Sequence, residues 1–359
     1  MKSGRCGADA RRWLAESCMA SRLALGAALI AAMVVAASAG AVRVAPTSIV
    51  SMVLARAGVT HGPQQWAASD ETIVFEVRLP RVVMAALVGA ALSTAGVLFQ
   101  ALLRNPLADP YAIGTSGGAA LGAALGMTVA AEFGFGTFTA VPTLAFAGAV
   151  LTTLLVYSVA RVGGRTPIVT LLLAGVIVSV TLGYAMSLLL LMTDRYGRDT
   201  RLVYVWLLGG VMTARWLQVG IVALLVCGGC TVALGWARRL NALSLGDETA
   251  ASVGLNVERQ KTAVILVGSL LTAAAVSAAG LVGFVGLIVP HVARLVGGPN
   301  HTRLIPSAML GGATFVVVAD LVARVIAPPI EIPLGIVTAF RGGPLFLYLL
   351  RQRKREYQV

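Results

Sequence analysis

The chain alternates between long apolar stretches and short polar ones, and the apolar stretches are longer than the buried elements of soluble proteins. A membrane-spanning helix needs roughly 20 residues with few charges. Six windows in the first two thirds of the chain meet this requirement: Leu23–Val42, Val82–Leu103, Pro110–Ala131, Phe133–Ala160, Thr166–Thr193 and Trp216–Ala237. Each of them predicts a membrane-spanning helix.

The last third of the chain is harder to divide, because an uncharged run longer than one helix is interrupted by glycine and proline. The interruptions are Gly280, Gly283, Gly286 and Pro290. They predict one span that ends at about Ala279 and a short span that ends near Arg294. Two more spans are expected at Ile305–Ala327 and Ile332–Leu350, on either side of a Pro-Pro pair. The expected fold is therefore all-α, with ten transmembrane helices.

Composition and charge agree with this pattern and orient it. Apolar residues make up 58% of the chain, charged residues 12%, and mean hydropathy is +0.86, which lies outside the range of soluble domains. Ten spans place both termini on one side, and that side holds 18 of the 28 Lys and Arg residues, against 9 opposite and one inside a span. Lys-rich and Arg-rich loops stay in the cytoplasm. We therefore expect a basic cytoplasmic tail at residues 1–22, a ten-span membrane domain at 23–350 and a second basic cytoplasmic tail at 351–359.

The net charge of +13 is then explained by topology and by anionic lipid headgroups of the bilayer, and nucleic acid is not an expected partner. Two local patterns have more than one interpretation. The Ala37-Ser38-Ala39 stretch after the first apolar run resembles a signal-peptide cleavage site, although the 20-residue uncharged run favours a retained span. Cys227 and Cys230 form a CxxC inside a span, where packing is favoured over metal or redox chemistry because hydrocarbon opposes thiolate formation.

The sequence carries no signature of catalysis. It contains no GxxxxGK[ST] phosphate-binding loop, no HExxH motif, no nucleophile elbow and no carboxylate cluster at metal-ligand spacing. Its three histidines, His61, His291 and His301, are scattered. We expect no enzymatic activity, no metal site and no bound cofactor on this chain. Transport across the membrane is therefore the expected class of function.

Three arginines are expected on the outer face. Arg78 and Arg81 directly precede the second span, and Arg324 ends the ninth. An exposed cluster of guanidinium groups is typical of a docking site for carboxylates, whereas headgroup anchoring is the alternative interpretation. Asp320 is the only acid inside a span, and its position four residues before Arg324 favours an ion pair.

Two further patterns concern helix ends and helix packing. The polar stretch LSLGDETAASVGL, residues 243–255, predicts a short helix that starts after Gly246 with two acids and ends at Gly254. Such a helix has little core of its own and is suited to a groove of another protein. Glycines at a spacing of four in the third span, which allow close helix packing, are Gly114, Gly118, Gly122 and Gly126.

Several of these motifs together resemble the permease subunits of bacterial ABC importers for iron complexes, haem and cobalamin. The resemblance covers about residues 70–350 and rests on motifs in the same order: RLPRVVMAALVGAALSTAGVLFQALLRNPLADPYAIGTSGGAALGAALG, LLLAGVIVS, VWLLGG, LSLGDETAASVGL, GLVGFVGLIVPHVARLVGG and the region from DLVAR to LGIVTAF. It implies a homodimeric permease in the bacterial cytoplasmic membrane with a pathway at the dimer interface. It also implies two P-loop ATPase subunits that carry ATP and Mg, and a periplasmic or lipid-anchored substrate-binding protein.

The resemblance assigns roles to individual residues. It implies that Arg78, Arg81 and Arg324 dock the binding protein. It implies that the cytoplasmic segment 240–258 of the permease domain couples to the ATPase, with contacts at Leu245, Gly246, Asp247, Glu248, Ala251 and Gly254. Position along the spans adds expected pathway-lining residues, which are Gly114, Gly118, Gly122, Gly283, Gly286 and Arg341.

Arg341 departs from the family pattern, because an apolar residue usually stands at this position of the tenth span. It could snorkel, pair with an acid, or line the pathway and meet an anionic ligand. A different class of function also remains open at this point: a proton-coupled secondary transporter in which Asp320 carries the proton. The cargo within the chelate class is not determined by any of these motifs.

Overall fold

The computed structural model describes residues 3–40, 44–59, 66–133, 137–195, 201–211 and 215–354. In these ranges the chain is helical, and its β-structure is limited to one isolated bridge between Val162 and Arg165. The α-helices are α1 (Ser3–Ser38), α2 (Pro46–Arg56), α3 (Ala68–Thr72), α4 (Leu79–Leu102), α5 (Thr115–Phe133), α6 (Thr137–Ala160), α7 (Ile168–Arg195), α8 (Arg201–Leu207), α9 (Trp216–Gly235), α10 (Ala237–Ser244), α11 (Asp247–Ser252), α12 (Val257–Ala279), α13 (Val285–Gly297), α14 (His301–Val325) and α15 (Leu334–Lys354). A π-helical turn at Ile73–Arg78 joins α3 to α4, and a 3-10 turn at Pro110–Ile113 precedes α5.

Seven helical stretches in the described ranges are long and apolar enough to cross a membrane: Met19–Ser38, Ala68–Leu102, Thr139–Ala160, Ile168–Thr193, Trp216–Gly235, Val257–Ala279 and His301–Val325. Two shorter apolar helices are Val285–Gly297 and Leu334–Tyr348. The expectation of an all-helical membrane protein is confirmed. The count of ten spans and the side of the termini stay predictions.

Helix α4 forms the centre of the molecule. In the stretch Ala68–Leu102, 78% of the most apolar window is buried inside the chain, against 11% in Ile168–Thr193. Helix α4 packs against α9, α12, α13 and α14, whereas α7 leaves a row of apolar side chains at the surface. Helix α7 is therefore peripheral, and α4 is the element through which the others are connected.

Small residues allow the closest contacts of α4. A Cβ atom placed on Gly96 would overlap the carbonyl oxygen of Gly286, and one placed on Gly89 would overlap that of Gly312. These glycines bring the backbone of α4 against α13 and α14. In lipid, where the hydrophobic effect does not drive helix association, such close contact supplies dispersion energy and weak hydrogen bonds.

Each of two prolines inside helices leaves one carbonyl oxygen without its helical N–H donor. A side chain from another helix donates a hydrogen bond to that oxygen instead. Pro290 has no N–H for the oxygen of Gly286, and the Gln100 amide donates to that oxygen at 3.4 Å. Pro306 likewise frees the oxygen of Thr302, and the Arg22 guanidinium of α1 donates to it at 2.9 Å. Helix α1 is thus joined to the beginning of α14 by a bond that a proline makes available.

The predicted break after Ala279 is confirmed, as is the short helix that follows it, 13 residues long. Gly280 turns the chain with φ of +63°. Two other irregular segments are hydrogen-bonded at this break: the amide of Gly210 donates to Ala279 O at 2.8 Å, and the amide of Leu334 donates to Gly209 O at 2.8 Å. Irregular backbone within a membrane is stable only where such partners are found.

Candidate functional site

The three arginines that were expected on the outer face lie together at one end of the molecule, which we call the arginine end. Arg78 closes the π-helical turn, Arg81 lies in the first turn of α4, and Arg324 lies in the last turn of α14. Between them is the carboxylate of Asp320. It accepts from Arg324 Nε at 3.0 Å and from Arg81 Nη2 at 3.0 Å. The predicted ion pair between Asp320 and Arg324 is confirmed, and Arg81 is a second partner that spacing along one helix does not reveal.

The same arginines close the carboxyl end of α1. Arg78 Nη1 donates to the carbonyl oxygens of Ala37 and Ser38 at 2.9 and 3.1 Å. Arg324 donates to Ala39 O at 3.0 Å and to Ala36 O at 2.9 Å. The last carbonyl groups of a helix have no partner within it, and they carry the negative end of its dipole. Two guanidinium groups therefore cap α1.

The expectation that these guanidinium groups form an exposed cluster is wrong. Arg78 is 7% exposed, and the side chains of Arg324 and Arg81 are 7% and 19% exposed. The reason is that Asp320 and the end of α1 supply internal acceptors for them. The acid that remains exposed is Glu331, whose side chain is 55% exposed and lies 2.9 Å from Arg81 Nη1. A cavity of about 110 Å³ opens beside Arg81, Asp320 and Glu331.

The predicted short polar helix is confirmed as α11. It begins at Asp247 after Gly246, whose φ is +126°, and it ends before Gly254, whose φ is +83°. Two apolar side chains beside it point outward, because Leu245 is 71% exposed and Val253 is 68% exposed. Ala250 is buried, while Glu248, Ala251 and Gly254 lie at the surface. Helix α11 therefore presents an apolar surface with one acid, which we call the coupling surface (Leu245, Glu248, Ala251, Val253 and Gly254).

Asp247, whose side chain is 44% exposed, uses both of its oxygens for partners within this chain. One of its oxygens pairs with the Arg104 guanidinium, and the other lies 2.6 Å from Lys261 Nζ. Burial alone raises the pKa of Asp247, but the hydrogen bond and charge of Lys261, together with the charge of Arg104, outweigh burial and lower it. Neither Arg104 nor Lys261 was singled out from sequence. The only signal was a lysine three residues after Glu258 at the start of an apolar helix.

The glycines of α5 fulfil the packing prediction. A Cβ on Gly118 would overlap the oxygen of Gly148, and one on Gly122 would overlap that of Leu144, so this face of α5 lies on α6. Gly114 ends the 3-10 turn with φ of +91°. Around Gly283 there is open space instead, whereas Gly286 packs against Leu92 and Pro110. A pathway-lining role for these glycines stays a prediction.

Two remaining features bear on the open interpretations of the sequence. Arg341 is exposed on α15, and no described acidic side chain pairs with it. Cys230 is buried with its sulfur 3.4 Å from Thr94 Oγ1, while Cys227 is exposed. Nowhere in the described ranges do three His, Cys, Asp or Glu side chains come together as metal ligands.

Comparison with known proteins identifies the family. The FecCD transport family matches residues 28–352. The cobalamin import system permease protein BtuC of Halobacterium salinarum is 45% identical over 79% of this chain and 74% of its own length. The hemin transport system permease protein HmuU of Yersinia pestis is 38% identical over 79% of this chain and 85% of its own.

A solved structure agrees with these sequence matches. It is described as an inward-facing conformation of a metal-chelate type ABC transporter, and it superposes with a TM-score of 0.76 at 30% identity, covering 93% of this chain and 99% of that one. The fold, the sequence identity and the order of the motifs all indicate the same family. The chain belongs to the FecCD transport family.

Proposed function

We propose that this chain is the membrane-spanning permease subunit of an ATP-driven importer that moves a metal chelate across the cytoplasmic membrane. The match to transport permeases over residues 28–352 carries the proposal. Two copies form the pathway, two separate P-loop ATPase subunits bind ATP and Mg, and a binding protein delivers the cargo. Each copy has ten spans with both termini in the cytoplasm, because the basic residues favour that side.

The coupling surface supports an ATPase partner. It consists of Glu248 and Ala251 on the six-residue helix α11 and of Leu245, Val253 and Gly254, which flank that helix. The apolar residues Leu245 and Val253 are 71% and 68% exposed in this chain. Apolar side chains that are exposed beside a short, well-bounded helix are typical of a helix that inserts into a groove. In this proposal α11 occupies such a groove on the ATPase.

At the opposite end of α4, the arginine end is the proposed docking site of the binding protein. Arg81 is the arginine with a replaceable partner, because Glu331 holds it from a largely exposed position. An acidic side chain of the binding protein would exchange with Glu331 on Arg81, while Arg78 and Arg324 hold the surrounding backbone in place. The pathway between the two ends would be lined by Gly114, which directly precedes α5, by Gly118 and Gly122 of α5, and by Gly283, Gly286 and Arg341.

The alternative of proton coupling through Asp320 gains no support. The carboxylate is 1% exposed and is paired with two guanidinium groups. A proton carrier must exchange its proton with water, whereas both oxygens of this carboxylate accept hydrogen bonds from guanidinium groups inside the protein. Asp320 therefore has a structural role in this proposal.

Relatives that import cobalamin, hemin and iron(3+)-hydroxamate suggest a cargo that is a bulky metal chelate. The test is ATP-dependent accumulation of radiolabelled cyanocobalamin, haemin and a ferric hydroxamate, each tested alone. The chain, purified with its partners from its native membrane, is reconstituted in proteoliposomes for this purpose. Accumulation of one of the three supports the proposal, and accumulation of none would overturn it.

Copurification tests the partner directly. The tagged wild-type chain should retain a P-loop ATPase in mild detergent, and Leu245→Glu should lose it because a charge enters the apolar groove. Val296→Glu is the matched control, since Val296 is 85% exposed but lies at the end of α13. An ATPase retained by Leu245→Glu would contradict the assignment of the coupling surface.

A further inference from the structure

Five groups beside the coupling surface form one continuous polar chain. Arg104 pairs with Asp247, which lies 2.6 Å from Lys261 Nζ. Lys261 also lies 3.2 Å from Glu258 Oε1, and the other oxygen of Glu258 accepts from the amide of Thr166 at 2.8 Å. We call this set the Asp247 network (Arg104, Asp247, Lys261, Glu258 and the Thr166 amide).

The Asp247 network connects elements that otherwise have little contact with α11. Arg104 follows the end of α4, Lys261 and Glu258 lie in the first turns of α12, and Thr166 lies two residues before α7. Arg104 Nε also donates to Leu243 O at the end of α10. Helices α4 and α12 are packed together in the core. The network therefore ties the coupling surface to the two central helices and to the connection between α6 and α7.

Lys261 is central to the network and is its most enclosed charged member. Its side chain is 6% exposed, whereas Asp247 and Glu258 are 44% and 32% exposed. An ammonium group that is buried must keep its carboxylate partners close, because losing one leaves an uncompensated charge away from water. If α11 moves and carries Asp247 with it, Lys261 and α12 must therefore resist the movement or follow it.

We propose that Lys261 is a positioning residue that transmits movement of α11 to α12 through Asp247, and that Asp247 is not an ATPase contact. This inference rests on the proposed function, since it assumes that an ATPase moves α11. It separates two tasks within one loop. The coupling surface binds the partner, and the Asp247 network passes the displacement to the membrane helices.

The test uses the complete complex in proteoliposomes, with the chelate that the wild-type complex accumulates. Lys261→Met is expected to keep the copurified ATPase and to lower uptake about tenfold, within the range of measured coupling free energies. Lys261→Arg is expected to restore uptake, because a guanidinium can reach both carboxylates. Asp247→Asn, at a half-exposed position, is expected to act as Lys261→Met does and provides a second variant if the first fails to assemble.

Arg259→Gln is the matched control, because Arg259 is a neighbouring basic residue of α12 that is exposed, and its uptake should equal that of wild type. Three results would overturn the inference: unchanged uptake in both Lys261→Met and Asp247→Asn, loss of the ATPase from both, or failure of Lys261→Arg to restore uptake. A wild-type chain that retains no ATPase and accumulates no chelate would instead overturn the proposed function.

Discussion

At the scale of single residues, the structure assigns charged side chains to internal partners that sequence spacing does not show. The spacing of Asp320 and Arg324 predicted an ion pair and was right. It could not show that Arg81 shares Asp320, because 239 residues separate the two. The arginines were expected to be exposed, and that was wrong because backbone carbonyls, which leave no trace in residue type, accept their hydrogen bonds.

Substitution of Arg324 should lower the stability of the protein more than substitution of Arg81. Arg324→Met removes a partner from buried Asp320 and also leaves two carbonyl oxygens of α1 without a donor. Breaking a buried ion pair costs about 3–5 kcal/mol. We expect a larger fall in the thermal midpoint of the detergent-solubilised protein for Arg324→Met than for Arg81→Met. Equal falls would show that capping of α1 contributes nothing.

Ionisation of Asp109 should lower the folding stability of the protein in a pH-dependent way. Its Oδ1 accepts from the amide of Tyr111 at 2.8 Å; burial raises the pKa of its carboxyl, and this hydrogen bond offsets only part of the effect. A raised pKa in the folded state means that ionisation opposes folding. This loss of folding stability is absent at a pH below the pKa of the unfolded carboxyl. It grows as pH rises above that value and is complete once pH exceeds the pKa of the folded carboxyl.

Asp109→Asn keeps an oxygen that can accept from Tyr111 but removes the charge. The variant should therefore gain thermal stability over wild type as pH rises from about 4 to 7, with the unfolded carboxyl near its usual pKa. The measurement is the thermal midpoint of both proteins across that range. A difference that shrinks with rising pH would contradict the expected sign.

At the scale of elements, residue pattern predicted helix ends well and helix partners poorly. The glycine boundaries of α11 and the break after Ala279 were both predicted, because glycine and proline act locally. The second span was predicted to start at Val82, yet the helical stretch begins at Ala68. Charges before Val82 hid this extension, and two of them, Arg78 and Arg81, find their partners on α1 and α14.

The bond between α1 and α14 offers a direct test of a proline effect. Arg22→Met should destabilise the protein, because Thr302 O loses its donor. In a Pro306→Ala background the amide of residue 306 can bond to Thr302 O within the helix. We expect the destabilisation by Arg22→Met, about 0.5–1.5 kcal/mol for the loss of one hydrogen bond, to shrink markedly there.

A double-mutant cycle of thermal stability measures this coupling. The cycle compares wild type, each single variant and the double variant in the same detergent. Additive effects of the two changes would show that Arg22 acts through some other contact.

At the scale of the whole molecule, the two functional ends are separated by the length of α4. Its 24 residues correspond to about 36 Å at the usual helical rise, which is close to the thickness of a bilayer core. Arg81 lies in its first turn, and Arg104 follows its last. A single central helix therefore connects the proposed docking site to the Asp247 network.

This arrangement predicts accessibility from opposite sides of the membrane. In a chain without its native cysteines, Leu245→Cys should react with an impermeant maleimide only from the cytoplasmic side. Ile330→Cys should react only from the outer side; the native side chains are 71% and 73% exposed. Labelling of both from one side would contradict the proposed topology.

The capping of α1 by Arg78 and Arg324 also bears on how the protein matures. The bond that a signal peptidase would cut directly follows Ala37-Ser38-Ala39, and these three residues supply acceptor oxygens to the two arginines. Proteolysis requires a segment to open from its folded state. Processing and folding would therefore compete for the same backbone, and we expect the uncut chain to be the product once α4 and α14 have docked.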